Sequence, residues 1–582
     1  MSKLMKYLRP YWRGIVLVLL LLLGQAIAEL FLPTLMSGIV NEGVVRSVVE
    51  GTARTAFILR TGALMLVIAL AAGVASICAM YLASRIAAKT ARDLRQGLFG
   101  KVESFSQSEF DKFSSASLIT RCTNDVTQVQ TLANVSARML IYAPILGIGG
   151  IAMALTRSVP MSWIIAFAVV VLIGITVLIT STVMPKFKII QKMVDILNRV
   201  SREILHGLMV IRAFGTQPHE KKRFDNVNKD LRDMGLFVAR VMAVIGPSIA
   251  FVMTGTQLLV IWVGAHHIAA SGLSIGDMMA FMQYSMQVIF SFMLVSMVLV
   301  MVPRAAVSAA RINEVLQTQP AIADPQEPRE FADDARRGQV VFDNVCFRYP
   351  GAEADALTGI SFTALPGQTT AIIGATGAGK STIAQLMLRF YDVTAGSITV
   401  GGADVRDVRQ ADLREKIGYT PQKGQLLAGT IASNICYGNP RATGEEIAAA
   451  AGVAQILDFI EEKEARFDAE IAQGGGNVSG GQRQRLSIAR ALAKSPEILV
   501  FDDSFSALDF QTDAKLRKAL KQHTSSATVI VIAQRVSTIM GAEQIIVLDE
   551  GQIAGRGTHA ELLKTCPAYF EIASSQGAAS GE

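Results

Sequence analysis

A chain of 582 residues is too long to be organised around one hydrophobic core, so more than one domain is expected. The hydrophobic fraction of 51% is high for a soluble protein, and the apolar residues concentrate before residue 305, which weighs against a wholly soluble molecule. The net charge of +7 does not call for nucleic acid, because lysines and arginines gather at the ends of apolar runs, the distribution of a membrane protein with basic cytoplasmic flanks.

In chain order, residues 1–13 place Tyr7, Tyr11 and Trp12 among basic residues, as expected of a short interfacial segment at the lipid headgroups. Lys3, Lys6 and Arg9 before a leucine run ending at Ala26-Ile27-Ala28 also resemble a cleaved signal peptide. The apolar character resumes through Phe31-Leu32-Pro33 toward Val40, however, beyond the roughly 7–15 residues of a signal core, so a retained helix is expected. Candidate spans cover 14–40, 57–83, 135–157, 160–184, 241–268 and 277–302, each long enough against the roughly 20 residues a crossing needs. The connections 84–134, with Arg85, Lys89, Arg92 and Arg95, and 186–240 are charged and helical in period, which predicts membrane helices continuing far into the cytosol. The links 157–160 and 266–274 are short and suit the outer face. There His266-His267, without a further ligand nearby, reads as a solvated pair.

Gln25 and Glu29 lie inside the first span, where an ionisable side chain marks a functional candidate, with a carboxylate near the outer surface as the alternative. On the last span Met278, Met282, Met286, Met293, Met297 and Met301 occupy an arc of roughly 140°, counted at 100° per residue. Such a face suits varied ligands and also ordinary helix packing. The cysteines Cys78, Cys122, Cys346, Cys436 and Cys566 show no C-x-x-C spacing and read as free thiols of a reducing compartment.

Pro320, Pro325 and Pro328 mark a linker out of the last helix. Short β-rich runs then alternate with helical stretches (339–347, 397–400, 498–501, 528–533 and 544–548), the pattern of an α/β domain. A Gly/Ser/Ala-rich tail after Ser574 is expected to fray. The expected division is a membrane domain over 1–318, a linker over 319–336, a nucleotide-binding domain over 337–576 and a flexible tail over 577–582.

Within the second domain, Gly374-Ala375-Thr376-Gly377-Ala378-Gly379-Lys380-Ser381 fits G-x-x-x-x-G-K-[ST], with an apolar strand (Thr370 to Ile373) before it and a helical pattern after it, and Thr382 next to it is counted with the nucleotide-binding residues. Glycines let successive N–H groups turn toward an anion, the helix N-terminus adds partial positive charge, Lys380 reaches terminal phosphates, and Ser381 is placed to hold Mg²⁺. The strand Ile498-Leu499-Val500-Phe501-Asp502 ends in the carboxylate that complements such a loop, Asp502 holding Mg²⁺ through water. Asn477-Val478-Ser479-Gly480-Gly481-Gln482 precedes the helix-forming Arg483 to Leu492, a second set of free N–H groups suited to a γ-phosphate.

On these residues, and over nearly its whole length, the chain resembles the ATP-binding cassette (ABC) transporters of exporter type. That resemblance implies a membrane α-helical domain of six transmembrane helices fused to an α/β P-loop nucleotide-binding domain. Val478 to Gln482 is similar to the family's signature motif, Tyr349 to the aromatic that stacks on adenine, and Gln422 to the loop glutamine that senses Mg²⁺ and the membrane domain. Ser506-Ala507-Leu508-Asp509 looks like the segment crossing the dimer interface. Phe110-Asp111 with Leu118, Arg121 and Asn124-Asp125 is similar to the first cytoplasmic loop, and Arg212-Ala213-Phe214 with Glu220 and Arg223-Phe224 to the second. The resemblance further implies a dimer that sandwiches ATP between one subunit's phosphate loop and the other's signature. It also implies a cytoplasmic (inner) membrane location with the nucleotide domain in the cytosol.

Three positions depart from the family pattern. Asp503 stands where the family has a glutamate that polarises the attacking water. Gln534 stands where it has a histidine on the γ-phosphate, and Ala472-Gln473-Gly474-Gly475-Gly476 lacks the glutamate-bearing motif usual before the signature. Aspartate is one methylene shorter than glutamate, and glutamine cannot become cationic. These features resemble the degenerate half of a heterodimeric exporter, with a homodimer as the alternative, pumping a small-molecule, lipid or peptide substrate. Other readings are an importer on the same fold (siderophore type), a regulatory subunit that does not hydrolyse ATP, and a soluble DNA-acting ATPase; the last is opposed by the apolar spans.

Overall fold

The computed structural model describes residues 2–50, 54–270, 272–331 and 336–578. Parts of the expected linker (332–335) and tail (579–582), and the side chain of Met297, lie outside the described residues. The chain forms two units, one of Met1–Glu103 and Ser115–Thr318, the other of Ser104–Ser114 and Gln319–Glu582. The short segment Ser104–Ser114, which sequence alone counts with the membrane half, therefore belongs to the second unit.

The first unit is helical. Its helices are α1 (Trp12–Gly38), which widens through a π turn (Ile39–Val45) into α2 (Arg46–Glu50), and α3 (Thr55–Glu103). After α4 (Gln107–Phe113), which belongs to the other unit, come α5 (Ser115–Thr120), α6 (Val126–Arg157), α7 (Ser162–His206), α8 (Leu208–Ala213), α9 (Gln217–Ala269) and α10 (Ile275–Gln317). Among the described residues, six helical stretches are long and apolar enough to cross a membrane. With 49 residues in α3 and 53 in α9, at 1.5 Å per residue these helices far exceed a hydrocarbon core of about 30 Å. Their charged ends extend beyond it, as the helical period of 84–134 and 186–240 predicts.

Ala26 and Leu30 of α1, Leu146 of α6, Ile164 of α7, Val260 of α9 and Phe281 and Tyr284 of α10 form one buried cluster. Tyr284 is fully buried, and its hydroxyl donates to the Leu30 carbonyl at 3.0 Å and lies 2.7 Å from Thr34 Oγ1, so it carries no unpaired polar group into the core. The methionine arc divides here. Met278 and Met282 pack on this cluster, whereas Met293 lines a separate cavity of about 500 Å³ with Met184 and Met242, between α7, α9 and α10. A stripe on one long helix passes several neighbours, so its members need not share a role. Near the C-terminal end of α10, Arg121 pairs with Glu314 at 2.8 Å and Asp125 accepts from Ser308 at 2.8 Å, tying the segment between α5 and α6 to α10.

The second unit is built on β1 (Val340–Phe347), β2 (Leu357–Ala364), β3 (Thr369–Gly374), β4 (Ala395–Val400), β5 (Ala403–Asp404) and β6 (Ile417–Thr420). There follow β7 (Gly429–Thr430), β8 (Glu470–Ile471), β9 (Ile498–Asp502), β10 (Thr528–Ile532), β11 (Gln544–Asp549) and β12 (Gln552–Gly557). Among the described residues a six-stranded sheet runs in the order β12-β11-β3-β10-β9-β6, parallel except for β12, beside an antiparallel sheet β2-β1-β4-β5. β9 and β10 are buried throughout, as parallel strands covered on both faces should be. β2, β6 and β12 are strands that the sequence reading did not single out; β6 is only four residues long and β12 alternates with small and charged residues.

Candidate functional site

The phosphate loop lies where a parallel sheet binds ligands, beyond the carboxyl ends of its strands. In β10, Ile532 pairs with Ile372 of β3 on one side and Asp502 of β9 on the other, so the residues after each strand emerge side by side. Gly379 has φ +91°, and a Cβ there would come within 2.6 Å of Leu357 Cδ2 and 2.9 Å of the Ala356 carbonyl oxygen. Only glycine fits that position, and it hands the chain into α11 (Lys380–Met387) with its N–H groups free. Gly374 is required by close approach, since its Cβ would fall 2.2 Å from the Leu548 carbonyl oxygen.

Lys380 Nζ folds over the loop, donating to the carbonyls of Gly374 at 2.8 Å and Ala375 at 2.7 Å. Burial pushes its ammonium below the ordinary lysine value, while the charges of Asp503 and Asp502 pull it back up. Ser381 Oγ donates to Asp502 Oδ1 at 2.9 Å. Burial raises the Asp502 carboxyl, the Ser381 hydrogen bond works against that rise, and Asp503 adds to it. A hydroxyl and a carboxylate brought together beside a second carboxylate form an oxygen set of the kind Mg²⁺ accepts alongside phosphate oxygens, so the residues fit the metal the sequence implies. The glycine-lined loop and helix N-terminus likewise fit a nucleotide phosphate.

Asp503 is arranged differently. It has φ +47°, a left-handed conformation that aspartate tolerates better than most residues. Its N–H donates to the Ile532 carbonyl at 2.8 Å. Its Oδ2 then accepts from two side-chain amides, Gln422 Nε2 and Gln534 Nε2, each at 3.2 Å. The position named in sequence for water activation, Asp503, is thus brought together with Gln422 and Gln534, named for Mg²⁺ sensing and for the γ-phosphate, as a carboxylate held between neutral donors. Gln422 meets Asp503, and not Ser381 or Asp502, in this arrangement.

Tyr349, after β1, places its hydroxyl 2.9 Å from Thr382 Oγ1 and donates to Gln385 Oε1 at 3.0 Å, which sets its ring beside α11. Ser479 and Gln482 form a capping box: Ser479 Oγ accepts from Gln482 N at 3.2 Å and Gln482 Oε1 from Ser479 N at 2.8 Å. Ser479 and Gly480 are exposed at the start of the helix Gly480–Leu492, and among the described residues no hydrogen bond joins them to the phosphate loop of the same chain. Asp509 caps the helix Phe510–His523 by accepting from Thr512 N at 2.9 Å, a bond that holds its carboxyl below the ordinary aspartate value.

Three contributors escaped the sequence reading. Tyr419 donates to Asp502 Oδ2 at 3.4 Å, and burial first, then Asp502, push its phenol upward. Gln576 accepts from Val536 N and donates to the Gln534 carbonyl, both at 2.8 Å, so the chain is still tied down where fraying was expected. Tyr391 packs edge-on to Tyr349 at 5.3 Å and donates to Asp111 of α4 at 2.9 Å. The serine-to-glutamine spacing of the capping box is a local signal that the sequence reading did not use, whereas nothing local to Tyr419, Tyr391 or Gln576 marks them.

Comparison with known proteins adds to this geometry. Residues 15–292 match the family model described as the ABC transporter transmembrane region, and residues 357–506 the model described as ABC transporter. An uncharacterized ABC transporter ATP-binding protein of Mycobacterium tuberculosis is 40% identical over 99% of this chain and 98% of its own length. An ATP-dependent lipid A-core flippase of Albidiferax ferrireducens is 31% identical over 99% and 98%. Among solved structures, a bacterial Atm1-family ABC exporter with ATP bound superposes with a TM-score of 0.77 at 26% identity, covering 99% of both chains.

Proposed function

The chain belongs to the ABC transporter family as an exporter-type half-transporter, and from that premise we propose that it is one half of a heterodimeric exporter whose own site holds Mg²⁺ and ATP and turns over slowly. The observation that carries the reading is Asp503, one methylene short and gripped by Gln422 and Gln534. Both bonds fall on Oδ2, and aspartate keeps its carboxylate roughly 1.5 Å nearer the backbone than glutamate would. A carboxylate so placed is poorly suited to take a proton from an attacking water, and Gln534 offers the γ-phosphate a hydrogen bond without a positive charge. Losing a positioned general base costs on the order of 10² to 10⁴-fold in rate without preventing binding.

The binding parts support the other half of the reading. The loop N–H groups of Gly374 to Ser381 and the ammonium of Lys380 would hold the phosphates, Ser381 and Asp502 the metal with Gln422 nearby, and Tyr349 with Thr382 the adenine side. Bound Mg²⁺ would neutralise the charge developing between the transferred and leaving phosphates. Across the dimer, Ser479, Gly480, Gly481 and Gln482 would complete the partner's competent site, and Asp509 would stand at the crossing. The division expected from sequence, a membrane domain to 318, a linker to 336 and a nucleotide-binding domain to 576, fits this use, with the nucleotide domain in the cytosol under the inner membrane. The flippase among the relatives supports an amphiphilic substrate.

Purified alone, the chain is expected to bind ATP and show little ATPase, and co-assembly with a partner carrying glutamate and histidine at the corresponding positions to restore turnover. Full turnover by the chain alone would overturn the proposal.

A further inference from the structure

Glu29 is a carboxylate inside a membrane-crossing helix, and its partners among the described residues are neutral. Gln25 Nε2 donates to its Oε1 at 2.9 Å, the Tyr142 hydroxyl of α6 donates to its Oε2, and Gln287 Nε2 of α10 donates to its backbone carbonyl at 3.1 Å. Among the described residues no lysine or arginine pairs with it. Asp277 makes the contrast: it pairs with Arg157 at 2.9 Å and also accepts from Ser37 and Ser274. Ser37 and Glu29 lie on the same helix, with Glu29 roughly 12 Å deeper at 1.5 Å per residue. Among the described residues, the deeper carboxylate is therefore the one without a counter-charge.

Around it acceptors outnumber donors. Gln25 is only 8% exposed, its amide lies against Glu29, and its Oε1 is buried without a hydrogen-bond partner; Gln287 Oε1 is likewise buried and unpaired. A buried amide oxygen left unpaired on Gln25, the residue that holds the Glu29 carboxylate, is costly, and an ionisable side chain at membrane depth is a functional candidate by default. A ligand that complements these acceptors brings positive charge together with hydrogen-bond donors. A primary ammonium has both: one charge and three donors. A quaternary ammonium has the charge without the donors, and an alcohol a donor without the charge. Glu29 itself is half-buried, so a headgroup can reach it while an attached tail stays among the apolar helices.

We infer that Glu29, Gln25 and Gln287 form a recognition site for a primary ammonium group carried on an apolar tail. The inference rests on the transport reading only for calling that molecule a substrate; binding itself needs neither ATP nor a partner's catalytic site.

The test is equilibrium binding of labelled dodecylammonium and dodecyltrimethylammonium to the full-length protein in phosphatidylcholine nanodiscs without nucleotide, empty discs subtracted. The wild type is expected to prefer the primary amine by about tenfold, the lower end of a charge-assisted hydrogen bond. Glu29→Gln should abolish that preference, Gln25→Leu should reduce it, and both should keep wild-type ATP affinity as a check on folding. Repeating the measurement in phosphatidylethanolamine discs separates the sources. Weaker apparent binding assigns the site to that lipid headgroup, and unchanged binding to a free amphiphilic amine; both retain an ammonium site. Equal binding of dodecylammonium to wild type and Glu29→Gln, or no preference over the trimethyl compound, overturns it. Either result leaves the ATPase asymmetry untouched.

Discussion

The two sides of the nucleotide site are built to different standards. On the phosphate side Lys380 donates to the Gly374 and Ala375 carbonyls and Ser381 to Asp502, all within 3 Å and each at an element end, and burial disfavours the charges of Lys380 and Asp502 until a ligand of opposite charge is bound. On the water side Asp503 is short, left-handed and occupied by two amides at 3.2 Å. The difference teaches that the groups suited to grip a phosphate and the carboxylate suited to activate water are positioned independently in one fold. Gripping needs backbone N–H groups and fixed charge, and activating water needs a single carboxylate at the right reach.

The comparison breaks most severely at Lys380. Lys380→Ala removes charge-assisted contacts to phosphate, and ATP affinity measured by fluorescent-nucleotide titration should fall at least about a hundredfold. Asp503→Ala should leave that affinity within a few fold, and if the two variants lost binding equally the two sides would not be distinct. The converse change sharpens it. Asp503→Glu combined with Gln534→His should raise steady-state ATPase by on the order of 10²-fold, the lower end of general-base catalysis. No gain would move the limitation to the segment Ala472 to Gly476.

Much of the phosphate side was legible in the sequence because it is local. The loop occupies eight consecutive residues, and its partner Asp502 ends an apolar strand. The grip on Asp503 was not legible, because Gln422 and Gln534 are 81 and 31 residues away and meet it only through the strand order β10-β9-β6. Distance hid the Tyr391–Asp111 bond more completely, at 280 residues. In the membrane unit the helix lengths followed from charged helical periods, whereas the methionine arc, one stripe by period, divides between a packed cluster and a cavity because its neighbours change along α10.

Smaller effects refine the comparison. Gly379→Ala forces a side chain into a left-handed turn against Ala356 and Leu357 and should destabilise the loop by about 1–3 kcal/mol. It should show as a lowered melting temperature together with weakened ATP binding. At the start of α4, Glu109 is buried, which opposes its charge, yet hydrogen bonds from Ser106, Ser108 and Ala321 N hold its carboxyl below the ordinary glutamate value. A depressed folded-state value contributes stability above the unfolded carboxylate range and loses it as pH falls through the folded value. Glu109→Gln should therefore cost about 1 kcal/mol at neutral pH, in line with other helix caps, and flatten the loss of thermal stability on acidification. A variant whose melting temperature tracked the wild type across pH would remove Glu109 from that account.

The most direct measurement labels the native complex, during turnover, with photoreactive ATP carrying its radiolabel on the α- or the γ-phosphate, and counts the label on each subunit. The account predicts that this chain, whose site contains Lys380 and Asp503, retains γ-label nearly equal to its α-label while its partner keeps α-label and loses γ-label. Equal loss of γ-label from both subunits, or two identical copies of this chain hydrolysing at full rate, would contradict it.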